Sequence, residues 1–386
     1  MATDLSGAPF LTPEHDRLLL SSRRLAARQL APLTKVAEED RDLATKRAIK
    51  ILASAGTLRL LTTKAHGGKS TKLDHRAMVA AREGIAYAST IGHSAFAVQG
   101  LGMIPLTLDG SEGQKKEWLP KAAQGKVIGG FGLTEEGAGS DVGAMKARAR
   151  KEGRGWRIDG GKTFISHAGI ADFYCVFAKT EPSAGHRGIT CFVVDAKARG
   201  LMVWPLQMLA NVPIGSLEFK NLRVGDEDVV GKVGEGFYTA MRTLDTLRPT
   251  VASAACGMGS RALDEAVKRA KARKTFGKSI AEHQGIRWML ADASTQLMAA
   301  RLLAYRAAWL KDKGQERVTV EAAQAKLFAT EAAWRIVDMT LQVHGAAGLI
   351  RDSLTAQLYR EIRALRVYEG TSQILLEVIG SKLASS

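Results

Sequence analysis

What narrows the fold of this chain most is a double change of hydrophobic period, from helical to alternating at Gly129 and back to helical at Phe237. A 3.6-residue period buries a stripe along a helix and a two-residue period buries one face of a strand, so the two patterns build different layers. The spacing predicts an α+β multidomain chain. We expect an all-helical N-terminal domain over 1–128, a middle antiparallel β domain over 129–236, and a C-terminal helical domain like a four-helix bundle over 237–386. With 386 residues the chain can supply several cores.

The local signals agree with that partition. Thr12 as N-cap, Pro13 in the first helical position, and Glu14 and Asp16 in the first turn start a helix that carries Leu18, Leu19 and Leu25. Helical patterning continues to about residue 128, broken at Gly67-Gly68, Gly110 and Gly113. In the middle, Trp156–Asp159 reads as a strand, Gly160-Gly161 as a turn and Lys162–Ser166 as the next strand. Phe173–Ala178, Ile189–Asp195, Leu201–Pro205 and Ser216–Phe219 continue the series. Farther on, Ile286, Met289, Leu290, Ala293, Leu297, Ala300, Ala304 and Ala307 trace an apolar stripe on one long helix, and Val320–Val343 reads as another. Alanine-rich stripes suit close helix packing and a subunit interface.

Charge and cysteine usage restrict function further. Lys and Arg number 55 against 39 Asp and Glu, a formal net charge of +16. Such a surface favours anionic partners: nucleotide cofactors, coenzyme A esters, acidic proteins, nucleic acid or membrane headgroups. Cys175, Cys191 and Cys256 have neither metal-ligand nor redox spacing and read as buried thiols. His93 stands alone on a helix and reads as a packed or solvated side chain, so no metal is expected. No apolar run reads as a membrane span and no secretory signal opens the chain, so the expected location is cytoplasmic.

Four stretches carry chemistry. Phe131 through Asp141 is a glycine-rich loop with Thr134 and Ser140 hydroxyls, able to hold a cofactor through backbone donors, although a decorated β-turn looks the same. Lys162-Thr163-Phe164-Ile165-Ser166 puts an aromatic and a hydroxyl on one strand face, suited to stacking on a planar ring. Arg273-Lys274-Thr275-Phe276-Gly277, followed by Gln284, could receive a pyrophosphate and an adenine; a basic helix C-terminus reads alike. Last, a helix over 352–366 delivers Tyr368-Glu369-Gly370-Thr371-Ser372-Gln373, a carboxylate beside a glycine at a helix end.

In this order the stretches resemble the acyl-CoA dehydrogenase family over nearly the whole chain. Gly132–Ala144 is similar to its first signature and Val367–Ile374 to its C-terminal one. Arg273–Gly277 and Gln342-Val343-His344-Gly345-Ala346 are similar to further family motifs. The resemblance implies FAD as cofactor and Glu369 as the base that removes the proton α to an acyl-CoA thioester carbonyl. The β-hydrogen then leaves as hydride to flavin N5, giving the trans-2-enoyl-CoA. It also implies an electron-transfer flavoprotein as acceptor, a place in fatty acid metabolism, and a homo-oligomer, a dimer or a tetramer built from dimers.

Residue by residue, Phe131, Leu133, Thr134, Gly139, Ser140, Phe164, Ile165 and Ser166 match positions around the flavin ring, with Phe164 where a tryptophan is common. Arg273, Phe276, Gln284, Gln342, Gly345 and Ala346 match positions that hold the pyrophosphate and adenine, in part those of the neighbouring subunit's FAD, and Ala346 replaces a frequent glycine. Thr371 and Gln373 match a further FAD contact. Ser140, Asp245, Arg248 and Gly370 match acyl-CoA contacts, and Gln99 and Met103 are expected along the acyl pocket. One branch of the family carries its base at the position of Leu247, which cannot take a proton. Carrier-protein thioesters, an oxidase or monooxygenase, and an enoyl-CoA reductase remain alternative chemistries on the same fold. Nucleic-acid binding ranks below them because no element combines clustered basic and aromatic residues.

Overall fold

The computed structural model describes residues 10–385. Its helices begin with α1 (Pro13–Leu25), α2 (Leu33–Glu39), α3 (Arg41–Ser54), α4 (His75–Ala88), α5 (Thr90–Asp109) and α6 (Glu112–Ala123). Strands follow: β1 (Gly129–Gly132), β2 (Arg148–Glu152), β3 (Gly155–Ser166), β4 (Phe173–Lys179), β5 (Ile189–Asp195), β6 (Leu201–Leu206), β7 (Ile214–Gly225) and β8 (Val229–Val230). The chain closes with α7 (Gly236–Ala272), the hairpin strands β9 (Lys274–Thr275) and β10 (Lys278–Ser279), then α8 (Gln284–Asp312), α9 (Thr319–His344), α10 (Leu354–Leu365) and α11 (Ser372–Ala384). The helical, β, helical order is the one the periodicity predicts. Thr12 caps α1 as expected, and its backbone N–H donates to His15 Nδ1 at 3.2 Å.

Two compact units emerge. One consists of His75–His93 with the described parts of Met1–Ala31 and Arg248–Ser386; the other is Pro32–Asp74 with Ser94–Leu247. In the second unit the sheet runs β6-β7-β3-β2-β4-β5-β8, with β1 added parallel to β4 and the long pairings antiparallel. Ile158, Tyr174, Val176, Phe192, Leu217, Phe219 and Leu222 form its core. Strand β4 is buried at every position from Phe173 to Ala178, which is why it reads as an unbroken apolar run.

Three sequence expectations need correction here. Gly160-Gly161 is not a turn, because β3 runs through it from Gly155 to Ser166. Gly160 has φ +134° at a register shift against β7, and a Cβ there would lie 2.7 Å from Ala147 Cα, so the glycine marks a bulge and a close backbone approach. Strand β2 escapes the sequence reading because Arg148, Arg150, Lys151 and Glu152 are exposed and Ala149 alone faces the core. A third correction concerns α5, which by length and composition is apolar enough to cross a membrane. In the fold 78% of that apolar window is buried, as in the core helix of a globular protein.

In the first unit the alanine stripes meet. Ala293, Leu297, Ala300, Ala304 and Ala307 of α8 join Val251, Ala255 and Met258 of α7, Ala329, Ala333 and Ile336 of α9, and Leu358 and Ile362 of α10. Each fully buried leucine in such a cluster stabilises by about 1.5–3 kcal/mol. The small side chains let the helix backbones approach closely. A buried polar link crosses this unit: Arg301 Nε donates to Glu83 Oε1 at 2.5 Å, and the Tyr305 hydroxyl donates to Glu83 Oε2 at 3.0 Å. All three cysteines are free and buried, as the sequence implies.

Candidate active site

The turn between α10 and α11 holds the predicted base. Glu369 has φ +54° and Gly370 φ +102°, both in the left-handed region. For glutamate that conformation is strained by on the order of 1–3 kcal/mol and persists only where neighbours over-determine it. Two cations do so. Arg248 Nε donates to the Glu369 carbonyl at 3.0 Å, and Lys326 Nζ donates to the Gly370 carbonyl at 2.7 Å. Thr371 caps α11 through Ile374 N–H at 3.3 Å, while Ser372 Oγ donates to Glu331 Oε1 at 2.6 Å, so the turn is anchored on its far side as well.

The carboxyl of Glu369 is enclosed. Its Oε2 is sealed from solvent and has no hydrogen-bond partner among the described residues. Burial pushes its pKa above the usual carboxylate range, while the charges of Arg82, Arg248 and Lys326 pull the other way. Burial also draws Lys326 down to about 8, against the pull of Glu369, and lifts Tyr368 to about 12. A desolvated carboxylate on a rigid turn is a stronger and better-aimed base than an exposed one. Arg248, expected at the substrate, thus clamps the turn backbone; Asp245 is half-buried on α7, and Leu247 is buried.

In the other unit, β1 and the following loop meet the bulged end of β3. Thr163 N–H donates to the Thr134 carbonyl at 2.9 Å, and the Thr163 and Ser216 hydroxyls lie 3.0 Å apart. Phe164 sits at φ +56° and leaves its ring 57% exposed, Ile165 points into the core, and Ser166 is half-buried. Leu133 is also buried, so Leu133 and Ile165 offer backbone groups only. Phe131 and Thr134 are half-buried, and Gly139 and Ser140 are exposed. An exposed ring flanked by hydroxyls and by glycines with open space, Gly137 among them, fits a planar heterocycle such as a flavin.

Sequence reasoning missed what holds this loop. Lys162 Nζ, on a side chain only 2% exposed, donates to Glu135 Oε1 at 2.7 Å and to the Leu133 carbonyl at 3.1 Å; Ala147 N–H donates to the same carboxylate oxygen at 3.0 Å. Burial lowers the Lys162 pKa to about 8. Glu135 and Lys162 stood inside quoted motifs, but their pairing spans a loop and a strand that no local spacing links. Gln99 is corrected too: it donates to the Ala122 and Val127 carbonyls and accepts from Gly129 N–H, so its amide serves the backbone rather than a ligand. Met103 is likewise buried.

A cleft of about 360 Å³ in the first unit collects Arg273, Gln342, Gly345 and Ala346, and adds Arg269 and His344 to its wall. Two guanidinium groups and the end of α9 suit a phosphate-bearing ligand. Phe276 and Gln284 are not in that wall. Phe276 occupies the tip of the β9–β10 hairpin at φ +51°, followed by Gly277 at φ +80°, the arrangement of a two-residue hairpin turn, and its ring is 95% exposed.

The sequence matches the descriptions of three domains: acyl-CoA dehydrogenase N-terminal over 12–126, middle over 130–223 and C-terminal over 234–384. Among characterised proteins it is 38% identical to a 3-(aryl)acrylate reductase of Clostridium sporogenes over 97% of this chain and 99% of that one. It is 41% identical to the CarC subunit of the caffeyl-CoA reductase-Etf complex of Acetobacterium woodii over 72% of this chain and 74% of that one. The fold superposes on a glutaryl-coenzyme A dehydrogenase glutaryl-CoA complex with a TM-score of 0.92 at 30% identity, covering 97% and 96% of the two chains. With its helical, β and helical parts each matched in register, the chain belongs to the acyl-CoA dehydrogenase family, FAD-dependent oxidoreductases that act on CH–CH bonds.

Proposed function

We propose that this enzyme dehydrogenates an acyl-CoA thioester to the trans-2-enoyl-CoA, with Glu369 as the catalytic base, and passes the electrons to an electron-transfer flavoprotein. The observation that carries the reading is the Glu369 carboxyl: one oxygen sealed and unpartnered, on a turn pinned by Arg248 and Lys326. An α-proton of a thioester is weakly acidic in water, so its removal needs a base that is desolvated and fixed in direction. FAD, when bound, takes up the β-hydrogen as hydride. Phe131, Leu133, Thr134, Gly139, Ser140, Phe164, Ile165 and Ser166 would hold its ring. Arg273, Phe276, Gln284, Gln342, Gly345, Ala346, Thr371 and Gln373 would hold its remainder, in part from a second copy of the chain. Ser140, Asp245, Arg248 and Gly370 would meet the acyl-CoA.

The exposure of Phe276, Trp288, Leu349 and Ile350 supports a homo-oligomer, dimer or tetramer, in which such side chains are covered. Domain borders at 128/129 and 236/237 belong to the same proposal and are supported by matches over 12–126, 130–223 and 234–384. So does a cytoplasmic location. The test is Glu369→Gln, which keeps shape and hydrogen bonding but cannot accept the proton. Anaerobic bleaching of the flavin by acyl-CoAs should slow by about 10²–10⁴-fold or more while the protein stays yellow and FAD-loaded. Undiminished bleaching would remove Glu369 from its role.

A second reading runs the same atoms backwards. Two relatives are named as reductases of acrylate or caffeyl groups, which favours enoyl reduction with Glu369 donating the α-proton. Reoxidation of the photoreduced enzyme by an enoyl-CoA, faster than the oxidised enzyme is bleached by the saturated ester, would favour that direction.

A further inference from the structure

Part of the +16 charge excess is set in order by the sheet of the second unit. Register places Arg150 of β2 opposite Arg157 of β3, and Arg157 opposite Arg223 of β7, a row of three arginines on adjacent strands. The next row of the same face holds Lys179 of β4, Arg148 of β2 and Asp159 of β3. Their chain neighbours Ala149, Ile158, Ala178 and Leu222 point the other way, into the core, so both rows face outward. Arg148 and Arg150 are exposed, and the side chain of Arg223 is 82% exposed.

Like charges directly opposite one another on paired strands destabilise a sheet, and here carboxylates relieve only the middle of the arginine row. Arg157 Nη1 lies 2.8 Å from Glu152 Oε1 and its Nε 3.3 Å from Asp159 Oδ2, while Asp159 Oδ1 accepts from Asn221 N–H at 2.8 Å. Arg223 Nη2 comes no nearer to Glu152 than 3.9 Å. Among the described residues, Arg148, Arg150 and Lys179 have no ion-pair partner. The two acids therefore fix the central guanidinium and leave cations on both sides of it turned to solvent.

A strand spacing of about 4.8 Å sets the three arginines along a line of roughly 10 Å. Carboxylates at i and i+4 of a helix repeat at a similar interval, about 5–6 Å between Cβ atoms, and a guanidinium grips a carboxylate in two parallel hydrogen bonds. No aromatic side chain stands in either row to stack on a base, and no apolar one to enter a lipid layer. We propose that this face of β2, β3 and β7 docks an acidic helix of a protein partner, laid across the strands with its carboxylates on Arg150 and Arg223 and with Arg148 and Lys179 beside them. None of these four side chains is assigned to the base, the flavin or the thioester, so docking and turnover are separable.

The experiment titrates the FAD-loaded enzyme with a fluorescent helical peptide bearing glutamate at the i and i+4 positions of one face, and with the same peptide carrying glutamine there. The acidic peptide should bind about tenfold or more tighter at low salt, and the difference should vanish near 1 M salt, where the screening length is about 3 Å. Arg150→Glu combined with Arg223→Glu should remove the preference and leave anaerobic flavin bleaching by acyl-CoAs unchanged. Arg150→Gln with Arg223→Gln should give an intermediate ratio. Equal binding of the two peptides by the wild-type enzyme overturns the proposal and requires no variant to fold. A preference kept in full by the doubly reversed variant also overturns it, since the basic excess elsewhere then does the binding. So does tighter binding of duplex DNA or of phosphatidylserine vesicles at matched charge, if the same reversal abolishes it. Bleaching that slows together with the loss of peptide binding would assign the row to turnover and overturn its separate role.

Discussion

Replacing Gly370 by alanine tests whether the left-handed turn, rather than the glutamate alone, makes the base. Gly370 has φ +102°, and a Cβ there would lie 3.3 Å from Leu375 Cδ2 and 3.5 Å from Arg248 Nη2. The first contact is tight but faces the end of a flexible side chain, so the backbone term dominates. An L-residue held at this φ costs on the order of 1–3 kcal/mol. Relief of that strain would rotate the peptide that carries the Gly370 carbonyl, loosening its bond to Lys326, and would re-aim Glu369. A misplacement of about 1 Å at a reacting group costs on the order of 10²-fold in rate. Expected, then, are a destabilisation of about 1–3 kcal/mol by denaturant titration of the FAD-loaded protein and a fall of about 10²-fold in single-turnover flavin reduction. Gly380 supplies the control: it lies within α11 with nothing within 4 Å of its Cβ position, so Gly380→Ala should stabilise by about 0.5–1 kcal/mol with no effect on rate. If Gly370→Ala melted with the wild type and reduced its flavin at the wild-type rate, the strained turn would have no part in positioning the base.

Other outcomes follow from the same geometry. Lys162→Met strands the buried Glu135 carboxylate but leaves it two backbone donors, so the cost should fall near the lower end of the range for a broken buried pair, about 3 kcal/mol, and Glu135→Gln added to it should recover part; a cost below about 1 kcal/mol would contradict the pairing. For Glu369 the folded pKa is raised, so the native state holds its proton above the pH at which the unfolded chain loses it. Its contribution to stability is therefore present below the ordinary carboxylate pKa and lost as pH rises through the raised one, whereas kcat/KM for dehydrogenation rises over the same interval. A kcat/KM profile whose acid limb sits at or below the ordinary glutamate value of about 4.3 would contradict that enclosure. Arg273→Ala, in the wall of the phosphate-sized cleft, should weaken FAD retention more than acyl-CoA binding, checked by flavin release on gel filtration; equal losses would remove it from the cofactor site.

The periodicity carried the architecture because helix stripes and the buried run of β4 are local patterns; the α8 stripe from Ala293 to Ala307 reappears intact in the core. It failed where local pattern and tertiary need diverge. Gly160-Gly161 looks like a turn because a turn and a bulge both call for a residue without a Cβ, and only the partner at Ala147 distinguishes them. The length of α5 and its apolar content are equally those of a spanning and of a core helix. At the proposed site, the Glu369-Gly370 turn stood out from its motif, but Arg82, Lys326 and the Glu135–Lys162 pair did not. Each is a charged residue on an amphipathic element, and sequence spacing does not report whether such a residue faces water or the interior.

Those hidden charges bear on why the proposed base is built on a turn. A helix would satisfy the carbonyls of Glu369 and Gly370 internally and withdraw from buried Arg248 and Lys326 the backbone acceptors they bind here. In the left-handed turn both carbonyls are free to accept, so each cation hydrogen-bonds a backbone oxygen rather than the carboxylate oxygen that stays unpartnered. Glu369 thereby sits among positive charges and still keeps an oxygen unpartnered, with burial outweighing the pull of the cations on its acidity. Strain in the backbone and basicity in the side chain are two results of one arrangement, and a substitution that relaxes the first should diminish the second.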